Sequence, residues 1–97
     1  MKNLIHLFIL LIFSCTLFSK INITIKNEGN SNIIINEIYI VKNSEKDWGN
    51  NLLNKPLLIG ESITFTLDPG SYKLKIKLSN GSENILNNIN NDLTLSF

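Results

Sequence analysis

Residues 48–78 have the sequence WGNNLLNKPLLIGESITFTLDPGSYKLKIKL, and this stretch decides the fold. Within it, residues 62–67 and 72–78 each alternate strictly between apolar and polar side chains. A period of two over this length is typical of a β-strand that buries one face. Residues 68–71, Asp-Pro-Gly-Ser, match a type II turn, because proline presets φ and glycine accepts the positive φ that follows. The pattern predicts an antiparallel hairpin.

The chain before this hairpin also favours strands. Residues 20–26 alternate strictly, and residues 33–42 alternate with a slip of phase that a β-bulge near residues 36–37 would correct. Residues 52–60 are apolar but are interrupted by Pro56, which excludes a regular helix or a central strand across it. We interpret them as a covering crossover between the two halves of a sandwich.

Turn signals recur after the hairpin. Residues 79–82 contain Asn-Gly, the preferred pair of a type I′ hairpin turn, and this predicts a strand over residues 83–86. Residues 87–91 are rich in asparagine and are expected to form a loop before a last strand over residues 92–97. About six to seven short strands without a convincing helix predict a small all-β, immunoglobulin-like antiparallel sandwich.

Residues 1–19 differ in composition from the rest of the chain. Lys2 supplies the positive charge of an n-region, residues 4–13 are almost continuously apolar, and small or polar residues follow. This arrangement is typical of a secretory signal peptide, and the apolar run is shorter than the roughly 20 residues of a transmembrane helix. Cleavage after Ser19 would leave residues 20–97 as one β-sandwich domain.

A second interpretation of the leader involves a lipid. Residues 12–15, Ile-Phe-Ser-Cys, resemble a relaxed bacterial lipobox, in which Cys15 would become a lipidated N-terminus. The sequence predicts export in both cases. Cleavage after Ser19 predicts a periplasmic or secreted protein, whereas lipidation at Cys15 predicts a lipid anchor in the cell envelope, which would hold the protein to a membrane.

Composition limits the functions that residues 20–97 can have. Eight lysines balance eight acidic residues, and the chain contains no arginine, so we expect no nucleic acid partner. No histidine or cysteine remains after residue 19, which removes the usual triads, dyads and zinc sites. We therefore expect no catalytic residue, no metal and no cofactor.

A carboxylate-based hydrolase is the catalytic alternative. Such an enzyme needs two acids about 5–10 Å apart in a cleft. The candidates are Glu45, Asp47, Glu61 and Asp92, which fall in predicted turns or at outward strand positions.

Trp48, the only tryptophan, lies in the polar connection formed by residues 43–51. The preferred interpretation is that it folds back over one end of the core, with Gly49 permitting the return. In a second interpretation it is an exposed anchor for a partner. In a third it flanks a calcium loop, because residues 43, 45 and 47 are spaced like early EF-hand ligands, although residue 54 is asparagine and not the glutamate such loops require.

Lys73, Lys75 and Lys77 lie on the outward face of the second hairpin strand, about 7 Å apart. One interpretation is a surface that binds anions or a membrane. The preferred interpretation is that they protect an edge strand from aggregation. Together with Trp48, these lysines are the candidate interaction surface.

Residues 48–53 (W-G-x-N-L-L), 60–67 (G-x-S-x-x-F-x-L) and 70–74 (G-x-Y-x-L) resemble a group of small exported bacterial β-sandwich domains whose function is not established. The resemblance implies the fold and export but no chemistry. Its members usually carry an aspartate after the tyrosine and a negatively charged final turn, where this chain has Lys73 and neutral residues 79–81. These departures do not favour a shared acidic or metal-binding surface. From the leader, the strand pattern and the lack of histidine and cysteine after residue 19, we expect an exported, non-catalytic domain that contacts a protein or another envelope component.

Overall fold

The structure, a computed structural model, describes residues 19–30 and 32–97, and these residues contain six strands and no helix. The strands are β1 (Ile21–Lys26), β2 (Ile35–Lys42), β3 (Ser62–Leu67), β4 (Tyr72–Leu78), β5 (Glu83–Ile89) and β6 (Leu93–Ser96). No described residue belongs to a helix long and apolar enough to cross a membrane. The predicted leader apart from Ser19, and with it Cys15, lies outside the described residues.

The six strands form two three-stranded sheets. One sheet has the order β3-β1-β6, in which β1 pairs with β3 antiparallel and with β6 parallel. The other has the order β2-β4-β5, and both of its pairings are antiparallel. The predicted all-β sandwich is therefore confirmed.

The core lies between the two sheets and is built from branched aliphatic side chains. Ile23 and Ile25 of β1, together with Leu74 and Ile76 of β4, are completely buried. Burying one such side chain contributes about 1.5–3 kcal/mol. Because β1 and β4 are the central strands, the alternation seen in the sequence becomes the strict alternation of buried and more accessible positions along both.

The predicted β3–β4 hairpin is wrong. β3 and β4 belong to different sheets, and residues 68–71 carry the chain from one layer to the other. The type II turn is also wrong, because Gly70 does not have a positive φ; instead it lies beside the Tyr72 ring, whose hydroxyl donates to the Asp68 carbonyl over 2.7 Å. Alternation determines which face of a strand is buried and not which strand it pairs with, so two apolar faces can equally well oppose each other across a core.

The hairpin at residues 79–82 does join two paired strands, β4 and β5. Its turn is not type I′, because only Gly81 has a positive φ (+89°) whereas Asn80 does not. The Gly81 N–H donates to the Leu78 carbonyl over 3.0 Å, as in a type I turn followed by a glycine bulge. The loop predicted over residues 87–91 is also partly wrong, since β5 continues to Ile89, which is buried.

The crossover and the bulge are confirmed. The register of β2 against β4 shifts between Ile35 and Glu37, where the bulge was predicted. The crossover connects β2 to β3 and runs beside β2: Ile35 and Leu57 exchange backbone hydrogen bonds of 3.2 and 2.8 Å, and the Leu52 N–H donates to the Ile38 carbonyl over 2.8 Å. The otherwise unpaired edge of β2 is therefore covered.

Within residues 19–30 and 32–97, Asn27 is the one buried polar residue, with an exposed fraction of 1%. Its Nδ2 donates to the carbonyls of Ile33 (2.9 Å) and Leu57 (3.0 Å), and its Oδ1 accepts from the Gly29 N–H (3.2 Å). The sequence identified this region only as a turn. The structure shows that Asn27 fastens the end of β1 to the approach to β2 and to the crossover.

Candidate interaction surface

The three predicted lysines project from the outer face of the β2-β4-β5 sheet. Lys73, Lys75 and Lys77 alternate along β4 with side chains buried in the core. β4 is the central strand of its sheet, so the interpretation that these lysines protect an edge strand is wrong. The hairpins predicted on both sides of residues 72–78 already implied two neighbours for this strand; only the identity of one of them was wrong, since β2 and not β3 pairs with β4.

Trp48 lies on the same outer face and not over an end of the core. The centre of its ring is 4.6 Å from Lys73 Nζ and 4.9 Å from Lys75 Nζ, and its side chain is half-buried. The preferred interpretation, a lid over the core, is therefore wrong. Gly49 has a φ of +72°, and a Cβ there would lie 3.6 Å from Val41 Cγ1, so the loop returns closely over the outside of β2.

Tyr39 completes this surface and was missed from the sequence. It lies opposite Lys75 in the β2–β4 ladder, and its ring centre is 5.0 Å from Lys75 Nζ and 5.9 Å from Lys77 Nζ. The slip of phase in β2 was the available signal, because a bulge at residues 36–37 turns Tyr39 to the same face as the lysines. We call Tyr39, Trp48, Lys73, Lys75 and Lys77 the lysine–aromatic face.

One end of the lysine–aromatic face carries compensating negative charge. Lys77 Nζ is 3.9 Å from Glu83 Oε1, and the Tyr39 hydroxyl donates a hydrogen bond to Glu37. That hydrogen bond, helped by desolvation and by the charge of Glu37, raises the pKa of Tyr39 above the ordinary tyrosine value.

The other end of the face is positive. Among residues 19–30 and 32–97, no carboxylate lies within ion-pair distance of Lys73 or Lys75, and their ammonium groups lie over aromatic rings instead. A cation over a ring is held in place without being neutralised. The face can therefore present two fixed positive charges beside the apolar surface of Trp48.

Two of the carboxylates named for a hydrolase, Glu61 and Asp92, bind backbone N–H groups at separate places in the fold. Glu61 Oε1 accepts the Leu58 N–H over 2.8 Å, and Asp92 Oδ1 accepts the Asn22 N–H over 2.8 Å. Glu61 lines a cleft beside the crossover, whereas Asp92 lines clefts near the start of β6. Both carboxylates stabilise backbone, and the structure does not bring these two together.

The residues named for a calcium loop are not grouped to hold a metal ion either. Asn43 exchanges two hydrogen bonds with Asn88, and its Oδ1, the proposed ligand atom, accepts the Asn88 N–H over 3.2 Å. Glu45 and Asp47 are exposed. In the described part of the chain, no group of three histidine, cysteine, aspartate or glutamate side chains is placed to hold a metal ion.

The resemblance of residues 48–53, 60–67 and 70–74 to small exported bacterial sandwich domains stays a prediction. No protein-family model, no curated protein and no solved structure matches the chain.

Proposed function

We propose that residues 20–97 form an exported, non-catalytic interaction module of the bacterial cell envelope, which contacts its partner through the lysine–aromatic face. The observation that carries this proposal is the position of Trp48, outside the core and beside two cations that have no carboxylate partner among the described residues. Tryptophan is enriched at binding hot spots because it offers a large, rigid contact area. Lys73 and Lys75 add charge complementarity toward an acidic partner.

The absence of catalysis in this proposal is supported by the residues that the domain offers. No histidine or cysteine follows residue 19, so proton transfer and nucleophilic attack would depend on carboxylates, lysines and hydroxyls. Glu61 and Asp92 use their carboxylates to hold backbone N–H groups. These observations favour binding over turnover.

The proposal is tested by cosedimentation of the purified protein with isolated bacterial envelopes. The test variant combines Trp48→Ala, Lys73→Gln and Lys75→Gln, and the control combines Lys26→Gln and Lys55→Gln, which remove the same charge from exposed positions elsewhere. We expect the wild type and the control to sediment with the envelopes and the test variant to stay in solution. Circular dichroism checks that all three remain folded. Equal sedimentation of the control and the test variant would contradict the proposal.

A second candidate function is binding to an anionic membrane surface, which the uncompensated charges of Lys73 and Lys75 favour. Each lysine near such a surface contributes about 1 kcal/mol, and the attraction weakens as salt is added. Vesicles of phosphatidylglycerol and of phosphatidylcholine separate the two functions. Salt-sensitive binding to the first lipid alone supports a membrane partner, whereas envelope binding without vesicle binding supports a protein partner.

Export and anchoring are tested separately. The mass of the mature N-terminus distinguishes cleavage after Ser19, which releases the protein into the periplasm or the medium, from lipidation at Cys15. A mature protein that retains residues 1–19 would contradict both routes.

A further inference from the structure

The two sides of the sandwich are closed differently. On the side of β2, the crossover hydrogen-bonds to the strand edge through residues 51–57. On the opposite side, β5 pairs only with β4 and β6 pairs only with β1 within the described residues. A groove opens there between β5 and β6, lined by residues 84–86 and 95–97.

This open side exposes apolar surface. Ile85 on β5 is 50% exposed, and its neighbour Leu86 is 38% exposed although Leu86 is paired with the fully buried Leu74. Leu95 and Phe97 on the other wall of the groove are half-buried. The other sheet's edge strand β3, in contrast to β5, exposes polar side chains, because its outward residues are serine and threonine.

β5 also lacks the devices that usually protect an edge strand. Such strands carry lysines, prolines or inward charges. Residues 83–87 contain a single charged side chain, Glu83, at their start, and the lysines of this sheet are on β2 (Lys42) and on the central strand β4, not on β5. The first irregularity is at residues 87–88, because the register against β4 shifts between Leu86 and Ile89 and Asn88 has a φ of +58°. The strand is therefore regular over residues 83–86, and within the described residues its outer edge is unpaired as far as Asn87.

The sequence of this segment is self-complementary. In an antiparallel ladder, residues directly opposite each other share a face of the sheet, so a two-fold axis must lie midway between one residue and the same residue of the second copy. An axis at Ile85 places Ile85 opposite itself, Glu83 opposite Asn87, and Asn84 opposite Leu86. No like charges then face each other, and both exposed isoleucines meet on the outer face.

We propose that β5 pairs with β5 of a second copy of this chain about an axis at Ile85. The order of the joined sheet is then β2-β4-β5-β5-β4-β2. A ladder of five residues buries less than the roughly 800 Å² per partner of a standard interface, so the dimer is weak and concentration-dependent. The inference does not depend on the lysine–aromatic face having a ligand.

Analytical ultracentrifugation over a wide concentration range tests this dimer. Ile85→Lys would place two lysines opposite each other at the axis, whereas the control Leu58→Lys adds the same charge at an equally exposed (50%) position on the crossover. We expect the dissociation constant to rise by at least about tenfold for Ile85→Lys, equivalent to about 1.4 kcal/mol, and to be unchanged for the control. A monomer at all concentrations, or a dimer that Ile85→Lys leaves intact, would overturn the proposal.

A cross-link tests the register and does not require the lysine variant to fold. In a Cys15→Ser background the chain has no other cysteine. Directly opposed residues of an antiparallel pair have Cβ atoms about 4.5–5.5 Å apart, close to the separation in a disulfide, so Ile85→Cys should form a disulfide-linked dimer under mild oxidation. Leu58→Cys should not. Equal yields from the two cysteines would show that β5 does not pair about this axis.

Discussion

Replacing Asn27 with alanine would remove the side chain that joins three segments of backbone. In the wild type the Asn27 side-chain amide donates to the carbonyls of Ile33 and Leu57 and accepts a hydrogen bond from the Gly29 N–H. Asn27 is only 1% exposed. In Asn27→Ala the Ile33 carbonyl and the Gly29 N–H lose these partners. The Leu57 carbonyl keeps the hydrogen bond from the Ile35 N–H at 3.2 Å.

These contacts set the expected magnitude. Each lost hydrogen bond costs about 1 kcal/mol, and a polar group left buried without a partner costs about 1–3 kcal/mol. Since one of the three partners keeps a second hydrogen bond, we expect the free energy of unfolding to fall by about 2–4 kcal/mol. For a domain of this size each kcal/mol corresponds to roughly 4–8 °C, so the Tm should fall by about 8–32 °C.

Urea and thermal unfolding followed by circular dichroism measure this loss, with Asn54→Ala as the control because Asn54 is exposed. Asn27→Asp is a second probe, since it replaces the two donated hydrogen bonds with a carboxylate facing two carbonyls. We expect burial to raise the pKa of that carboxyl in the folded state. The Asn27→Asp variant should therefore be most stable below the ordinary aspartate pKa, and its free energy of unfolding should fall as the pH rises. A loss below about 1 kcal/mol in Asn27→Ala, or a pH-independent Asn27→Asp, would refute the role assigned to this residue.

Three further results are expected from unfolding experiments. Gly29→Ala should lower the free energy of unfolding by about 1–2 kcal/mol because φ at this position is +75°. The loss should be larger still because the new Cβ would lie 2.7 Å from Ile59 Cγ2. In an Ile59→Ala background only the cost of this close contact should disappear. The hydrogen bond and ion pair with Lys20, at 2.9 Å, lower the pKa of Asp68. The ion pair therefore stabilises the folded state above the ordinary aspartate pKa, and this stabilisation is lost as the pH falls through the lowered pKa of Asp68. Lys20→Gln should remove that acid-side dependence, and added salt should weaken it. Leu74→Ala, at a position with no exposure, should cost about 2–5 kcal/mol.

The strands could be predicted from the sequence because their side chains alternate with a period of two. Residues 62–67 and 72–78 became β3 and β4 with the predicted bounds. Their pairing could not be predicted in this way. A hairpin and a crossing between layers bury the same apolar faces, and they differ only in which backbone groups exchange hydrogen bonds, which alternation does not encode.

The candidate site was predicted in part for the same reason. The outward direction of Lys73, Lys75 and Lys77 followed from the period of β4, but the position of Trp48 depended on the path of an irregular loop. Asn27 was missed because a buried asparagine and a turn asparagine are identical in sequence. Its role depends on Leu57, thirty residues further along the chain, which supplies one of its acceptors.

The parallel pairing of β1 with β6 has a consequence for how the molecule is made. Ile23 lies beside Leu93, and the Phe97 N–H donates to the Lys26 carbonyl over 2.9 Å, so the central strand of one sheet gains its second neighbour only after the last strand has been synthesised. Contacts between residues so distant in sequence slow folding, because a long loop must close before they form. A nascent chain of this kind cannot complete the β3-β1-β6 sheet until residues 93–96 have been synthesised. If the protein is exported, as we propose, the late completion of this sheet would keep the polypeptide unfolded enough to be threaded through a narrow channel.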